Sequence, residues 1–94
     1  MTDKLFPSVT LEQIENKIVQ ESYFRIPESN ITHCSLKMEN GYIVTGEGSC
    51  VCEENFDRNE GERLARLKAI DKLWPLEGYL LKQELYLKEL EDGD

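Results

Sequence analysis

Apolar residues near the start of the chain follow the spacing of a one-sided helix. Thr10-Leu-Glu-Gln13 has the form of a capping box, in which each of the two end residues bonds the other's backbone amide. Val9 and Ile14 are placed to form the hydrophobic staple that accompanies such a start. Pro27 marks a position that the helix cannot pass. We therefore predict one helix before Tyr23, whose buried face consists of Leu11, Ile14, Ile18 and Ser22.

Residues 31–44 alternate in a way that predicts a β-hairpin. Asn40-Gly41 suits the positive φ angles of a two-residue type I′ turn. A two-residue loop would pair Met38 with Ile43 and Leu36 with Thr45, and this register defines two faces. The predicted core face consists of Cys34, Leu36, Met38, Ile43 and Thr45. The predicted polar face consists of His33, Ser35, Lys37, Tyr42 and Val44.

The two glycines after this hairpin allow two interpretations. Gly46-Glu-Gly48 either bends the second strand as a bulge does or leads into a short third strand through residues 50–52. A phosphate-binding loop is not indicated, because no third glycine, no Lys-Ser/Thr pair and no helix follow directly. An isolated hairpin is marginal in water, so either sheet must pack on helices.

The second half of the chain predicts two helices. Asp57 is a candidate N-cap, with Glu60 three residues later as in a capping box. Pro75 predicts a hinge before a third helix over residues 76–90. The apolar stripe of the second helix consists of Leu64, Leu67, Ile70, Leu73 and Trp74, with Ala65 and Ala69 beside it. The predicted core between sheet and helix consists of Leu36, Met38, Ile43, Leu67, Ile70 and Trp74.

Together these elements predict an α+β fold in a single domain over residues 1–94. The order is an N-terminal helix, a β-hairpin or short three-stranded meander, and two helices hinged at a proline. Residues 1–8 and 91–94 are predicted to be flexible ends. A chain of 94 residues with 39% hydrophobic and 32% charged residues has the composition of one small globular domain. No apolar stretch is long enough to span a bilayer, so we expect no membrane association.

The third predicted helix carries more large apolar residues than one side of a surface helix accommodates. Seven of them lie between Tyr79 and Leu90, beyond the stripe that a small sheet and one neighbouring helix can cover. We predict that a second copy of the chain or another protein covers the excess, with a homodimer as the simpler solution. The candidate interface residues are Trp74, Tyr79, Leu80, Tyr86, Leu87 and Leu90.

Candidate residues for catalysis or metal binding do not form a recognisable pattern. The only possible zinc ligands beyond carboxylates are His33, Cys34, Cys50 and Cys52, and their spacing lacks the paired knuckles of a zinc site. The predicted register also places Cys34 on the face opposite the other three. Three cysteines, an odd number, indicate reduced thiols rather than a disulfide framework. We expect no metal, no cofactor and no enzymatic activity.

The net charge argues against one class of partner. The chain has 11 Lys and Arg against 19 Asp and Glu, a formal charge of −8, which repels phosphate backbones. The order helix, hairpin, helix also occurs in double-stranded-RNA-binding domains, which clamp phosphates with lysines at the start of the last helix. Here residues 57–62 are mostly acidic. Nucleic acid is therefore not the expected partner.

Several motifs resemble a family of small proteins of tailed bacteriophages and prophages. They are Asn40-Gly-Tyr-Ile-Val-Thr-Gly-Glu47, Cys50-Val, Asn55-Phe-Asp57, Gly61, Ala65, Ala69 and Trp74-Pro-Leu-Glu-Gly-Tyr-Leu-Leu81. Glu21-Ser-Tyr-Phe24 and Thr32-His-Cys34 also match, so the resemblance covers about residues 11–85. It implies a phage gene product acting in the host cytoplasm. It implies no activity and brings no catalytic or binding residues.

Two hypotheses of function follow. The first is a non-catalytic accessory protein that binds and modulates a host or phage protein, with the third helix as its contact. The second is a nucleic-acid- or small-ligand-binding factor acting through the polar sheet face, with His33, Lys37 and Tyr42 as contacts. Recovery of one host protein would favour the first, and salt-dependent retention on DNA or RNA the second.

Overall fold

The computed structural model describes residues 8–49 and 57–92. The elements in chain order are α1 (Leu11–Asn16), β1 (Ile18–Arg25), β2 (Ile31–Met38), β3 (Ile43–Ser49), α2 (Arg58–Asp71) and α3 (Leu73–Asp92). The three strands form one antiparallel sheet in the order β1-β2-β3. The predicted α+β class is confirmed. The sheet therefore has three strands, and the strand that is added to the predicted hairpin is β1, which precedes the hairpin in the chain.

Helix α1 starts as predicted and ends early. The Thr10 amide donates to Gln13 Oε1 at 3.0 Å, and the Gln13 amide donates to Thr10 Oγ1 at 3.1 Å, which confirms the capping box. Ile14 is fully buried. The prediction that Ile18 and Ser22 continue the helix face is wrong, because both belong to β1. This edge strand is largely exposed and so lacks a clear two-residue alternation; pairing with β2 supplies the hydrogen bonds that make it a strand.

The hairpin between β2 and β3 has a three-residue loop. The Met38 amide donates to the Tyr42 carbonyl, and the Gly41 amide donates to the Met38 carbonyl, both at 2.8 Å. Gly41 has a φ of 92°, whereas Asn40 is not among the described residues with positive φ. A type I′ turn needs positive φ at both positions, so the predicted two-residue turn is wrong. A turn that ends on a left-handed glycine takes its place.

This single extra loop residue changes which side chains of β3 are buried. Leu36 pairs with Val44 rather than with Thr45. Val44 is therefore buried, and Ile43 is 55% exposed, although the predicted register put Ile43 in the core and Val44 on the polar face. A shift of one residue moves every side chain of a strand to the opposite face. On β2 the prediction holds, since Cys34, Leu36 and Met38 are buried.

Gly46 and Gly48 lie inside β3 on the face that packs against α2. A Cβ atom at Gly48 would stand 2.6 Å from Leu64 Cβ and 2.7 Å from the Ala65 nitrogen. At Gly46 it would overlap the α2 backbone at Ala65 and Ala69. The strand continues through both glycines to Ser49, so the predicted bend is wrong. The alternative strand over residues 50–52 lies outside the described residues.

Small residues of α2 form its buried face. The helix starts at the predicted N-cap, where Asp57 Oδ1 accepts from the Asn59 and Glu60 amides at 3.1 and 3.3 Å. Leu67 is 51% exposed and Trp74 is 37% exposed, so their predicted places in the core are wrong. Ile70 is buried as predicted. The residues of α2 that are buried are Gly61, Ala65, Ala69 and Ile70.

The hydrophobic core lies between the sheet and α2 and reaches α1 and the start of α3. Its buried residues are Ile14, Cys34, Leu36, Met38, Val44, Ala65, Ala69, Ile70 and Leu73. Val9, Ile18 and Tyr23 pack at its edge. Val9 thus meets the same cluster as Ile14, in keeping with the predicted staple.

The two C-terminal helices are separated by a bend at Lys72. Pro75 is the third residue of α3, a position where the missing amide hydrogen costs little because helix starts leave these donors unpaired. The helical hinge is confirmed, three residues earlier than Pro75 itself. The molecule measures 64 × 32 × 16 Å, and its radius of gyration of 17.4 Å exceeds the roughly 12 Å expected for a compact chain of this length. Among the described helices, none is both long and apolar enough to cross a membrane.

Candidate interaction surface

Helix α3 is held to the rest of the protein through its first half. Leu73 is buried in the core. One turn later, Glu77 accepts a hydrogen bond from Lys17 Nζ at 2.6 Å, and this bond raises the pKa of Lys17. The Lys17 carbonyl in turn accepts from the Glu39 amide at 2.8 Å, so the same lysine also joins the β2–β3 loop. The start of α3 is thereby fixed against both α1 and the hairpin.

The second half of α3 extends away from the body of the protein. Every residue from Leu85 to Asp92 is exposed. All six predicted interface residues are exposed, by 37% at Trp74, 72% at Tyr79, 43% at Leu80, 52% at Tyr86, 50% at Leu87 and 61% at Leu90. A helix that projects with its large apolar side chains uncovered is unusual for a chain that acts alone.

Most of these side chains form a single stripe with a seven-residue repeat. The pair Tyr79-Leu80 recurs as Tyr86-Leu87. Leu76, Gln83 and Leu90 recur at the same interval and lie between these pairs on the helix. We call this surface the α3 stripe; it consists of Leu76, Tyr79, Leu80, Gln83, Tyr86, Leu87 and Leu90. Trp74 falls outside the repeat and lies on another side of the helix.

The α3 stripe runs into an open groove on the body of the protein. The groove has a volume of about 350 Å³, and Leu76, Tyr79 and Leu80 form its α3 side. Met38 and Tyr42 of the hairpin line the opposite side. The α3 stripe therefore leads from the projecting end of α3 to a groove that reaches the hairpin loop and is also lined by the polar residues Lys17, Glu39, Asn40 and Glu77.

Sequence reasoning missed Leu76 and Gln83 as members of this surface. The signal that would have found them is the repeat itself, since Leu76, Gln83 and Leu90 are spaced by seven. It is short, covering two heptads, and the many other leucines of the segment obscure it.

The predicted polar face is not assembled as expected. His33 and Lys37 lie on the sheet face away from α2, together with Ser35 and Glu47. The His33 ring lies beside the Phe24 ring, with centroids 5.0 Å apart and the ring planes tilted by 37°, and its Nε2 lies 2.9 Å from Ser35 Oγ. Tyr42 instead lines the groove beside α3. The three residues therefore do not form one site.

The candidate metal ligands that are described point to opposite faces. His33 is on the outer face of β2, with Nδ1 3.6 Å from the Glu47 carboxylate. Cys34 is fully buried on the inner face, and burial raises the pKa of its thiol. Cys50 and Cys52 lie outside the described residues. Over residues 8–49 and 57–92, no three His, Cys, Asp or Glu side chains are grouped as a metal site requires.

A charged cluster clamps α2 onto the edge strand. Arg66 donates to both Glu21 oxygens at 3.1 Å and to Glu15 Oε2 at 3.0 Å. The bond from Arg66 lowers the pKa of Glu21, while Glu21 accepts a further bond from the Tyr23 hydroxyl at 2.6 Å. Arg66 thus bonds Glu15 of α1 and Glu21 of β1, and the cluster joins α1, β1 and α2. We interpret this cluster as a structural element.

These features define a small α+β domain in which one helix packs on a sheet and the next presents an apolar stripe. The chain matches the model of the phage protein (N4 Gp49/phage Sf6 gene 66) family over residues 9–85. It therefore belongs to that family, as the resemblance of its motifs predicts. No curated protein and no solved structure matches the chain.

Proposed function

We propose that this phage-family protein is a non-catalytic accessory protein that works as a protein–protein interaction module. It acts in the host cytoplasm and modulates a host or phage protein, with the α3 stripe as its contact surface. Membership of a phage protein family supports the proposal that the chain is a phage gene product. The exposed apolar stripe carries the assignment of the surface.

The stripe has the properties of a helix that binds in a hydrophobic groove. Such helices present apolar anchors at i, i+3/i+4 and i+7. Leu80, Gln83 and Leu87 follow this spacing with a polar residue at the centre, and Tyr79 and Tyr86 follow it at i and i+7. Tyrosine is among the residues enriched in the energetically dominant centres of interfaces. Tyr79 and Tyr86 both lie in the stripe, at 72% and 52% exposure. Glutamate and lysine flank them, which provides a polar rim.

The sheet face offers weaker support for the alternative of nucleic-acid or small-ligand binding. Tyr42 is separated from His33 and Lys37, and Glu47 adds a negative charge beside His33. At the start of α2, Arg58 and Arg63 each pair with a glutamate, Glu62 and Glu60 respectively. Paired arginines on a chain of charge −8 are poorly suited to holding phosphates.

Affinity capture with a matched pair of variants tests this proposal. Tagged wild type, Leu87→Asp and Leu67→Asp would be incubated with lysate of phage-infected cells, and bound proteins identified by mass spectrometry. Leu87 and Leu67 are almost equally exposed, at 50% and 51%, but only Leu87 lies in the stripe. We expect Leu87→Asp to lose a specific protein that Leu67→Asp retains, since a buried carboxylate opposes an apolar contact.

The captured protein would then be purified and titrated against the same three chains by calorimetry. Equal affinity for all three would show that the contact is not the α3 stripe. Failure of the wild type to retain any specific protein would count against an interaction module. Circular dichroism and the melting temperature of each variant establish that it remains folded.

A further inference from the structure

We propose that, without another protein bound, the α3 stripe pairs with the α3 stripe of a second copy, with the two helices antiparallel. This inference rests on the proposed function in one respect, since both assign the stripe as a contact surface. It adds the identity of an occupant, the direction of the helices and the residues that set the register.

The single polar residue within the stripe favours the antiparallel direction. In a parallel pair, equivalent positions face each other, so Gln83 would meet Gln83 of the second copy, and Tyr86 would meet Tyr86. In the antiparallel pair, Gln83 lies opposite Tyr86 of the second copy. The glutamine amide and the Tyr86 hydroxyl can then bond each other. The two-fold axis repeats this pair on the other side.

Charges beside the stripe favour the same direction. Lys82 and Glu89 are seven residues apart and thus flank the stripe on one side. In the antiparallel pair, Lys82 lies opposite Glu89 of the second copy, and symmetry produces two such pairs. In the parallel pair, Lys82 would lie beside Leu87 of the second copy instead. The acidic ends, with Glu89, Glu91 and Asp92, would also lie side by side and repel each other.

This arrangement brings the end of the second copy's α3 to the groove beside the hairpin. Leu90 of the second copy falls opposite Tyr79, the most exposed apolar residue described on α3 and part of the groove with Tyr42. The two bodies then lie at opposite ends of the helix pair. The stripe is about 21 Å long, at 1.5 Å per residue from Leu76 to Leu90. A contact of this size is small, so we expect a dissociation constant on the order of 10–100 µM.

Sedimentation equilibrium over a concentration series measures this association. At several hundred micromolar, the wild type should approach twice the chain mass of 10.9 kDa. Leu87→Asp should sediment as a monomer, and Leu67→Asp should associate like the wild type. A wild type that stays monomeric at that concentration, or a dimer that Leu87→Asp leaves intact, would overturn the proposal.

Charge reversal tests the direction of the helices. Lys82→Glu and Glu89→Lys should each weaken the dimer about tenfold, because each replaces two attractive pairs with two repulsive ones. The double variant Lys82→Glu/Glu89→Lys restores both pairs and should recover the wild-type affinity. Lys88→Glu changes the charge as Lys82→Glu does, but on the far side of the helix, and should have little effect. Additive losses in the double variant would overturn the antiparallel pairing.

The two proposals fail separately. If the wild type is monomeric and Leu87→Asp still fails to retain a protein that the wild type captures, the dimer proposal is wrong and the proposed interaction with another protein is supported. If the dimer forms as described but no variant captures another protein, the dimer stands and the modulating function is wrong.

Discussion

Helices α2 and α3 are adjacent in the chain and use their apolar residues in opposite ways. Helix α2 buries Gly61, Ala65 and Ala69 and exposes Leu67. Helix α3 buries Leu73 alone and exposes most of its other leucines and both of its tyrosines. Apart from Ile70 near the end of α2 and Leu73 at the start of α3, the larger apolar side chains of both helices are half-buried or exposed. The size of an apolar side chain is a poor guide to burial in this protein.

The physical reason lies in how close α2 comes to the sheet. Gly46 and Gly48 of β3 remove two Cβ atoms at the contact, and the backbone of α2 at Ala65 and Ala69 occupies that space. A large residue at any of these positions would push the helix away from the strand. Helix α3 has no such contact over its second half, so its leucines are available to a partner.

The largest expected effect on stability comes from adding a methyl group at a glycine that contacts α2, compared with a glycine within α3. Gly46→Ala should destabilise the protein by more than about 3 kcal/mol, because the new methyl group overlaps the α2 backbone. Gly78→Ala in α3 meets no atom within 4 Å and should stabilise by about 0.5–1 kcal/mol, since alanine is the better helix former. Urea unfolding of both variants measures the difference. A Gly46→Ala protein as stable as wild type would mean that α2 does not pack on β3 in this way.

A second comparison uses leucines on the two helices. Leu73→Ala should cost about 2–4 kcal/mol of unfolding free energy, because Leu73 is only 2% exposed within the core. Leu67→Ala should change it by less than about 1 kcal/mol, since that side chain is half exposed. Thermal and urea denaturation would rank the two variants. The reverse ranking would restore the helix face that the sequence pattern predicts and contradict the observed one.

The smallest expected effect concerns the charged cluster of Arg66, Glu21 and Glu15, which holds α2 to β1 and α1. Glu21 has a lowered pKa in the folded protein because Arg66 bonds its carboxylate. The contribution of Glu21 to the free energy of unfolding is therefore fully present above the unfolded-state pKa of about 4.5. It is lost as the pH falls through the lower pKa of the folded state. Because both side chains are about a third exposed, we expect less than about 1 kcal/mol. Between pH 7 and pH 3, the free energy of unfolding of Glu21→Gln should decrease less steeply than that of the wild type. If the two decrease equally, Glu21 does not contribute to stability through its bond with Arg66.

Local features of the fold were predictable where a few neighbouring residues decide them. The capping box at Thr10 and the N-cap at Asp57 depend on side chains within three residues of the amides they bond. The buried face of β2 was also predictable, because its alternation is strong. The exposed apolar character of α3 was evident from composition alone, and its six predicted residues are all exposed.

Features that depend on distant parts of the chain were not predictable. Strand β1 has weak alternation, and only its pairing with β2 distinguishes it from a continuation of α1. The register of β3 depends on one additional loop residue, and Asn40-Gly41 is compatible with both loop lengths. The separation of Tyr42 from His33 and Lys37 follows from the same loop residue, because it places Tyr42 opposite Met38 rather than on the face of Lys37.

The class of the fold, the starts of α1 and α2, the family and the apolar excess of α3 could all be predicted from the amino-acid sequence alone. These properties follow from local hydrogen bonding, from composition and from motifs that need no distant partner. Which residues of β3 and α2 form the core, by contrast, depends on how the helix and the sheet pack together. That choice depends on how closely a helix can approach a strand, and Gly46 and Gly48 permit a distance at which the α2 backbone itself packs on β3.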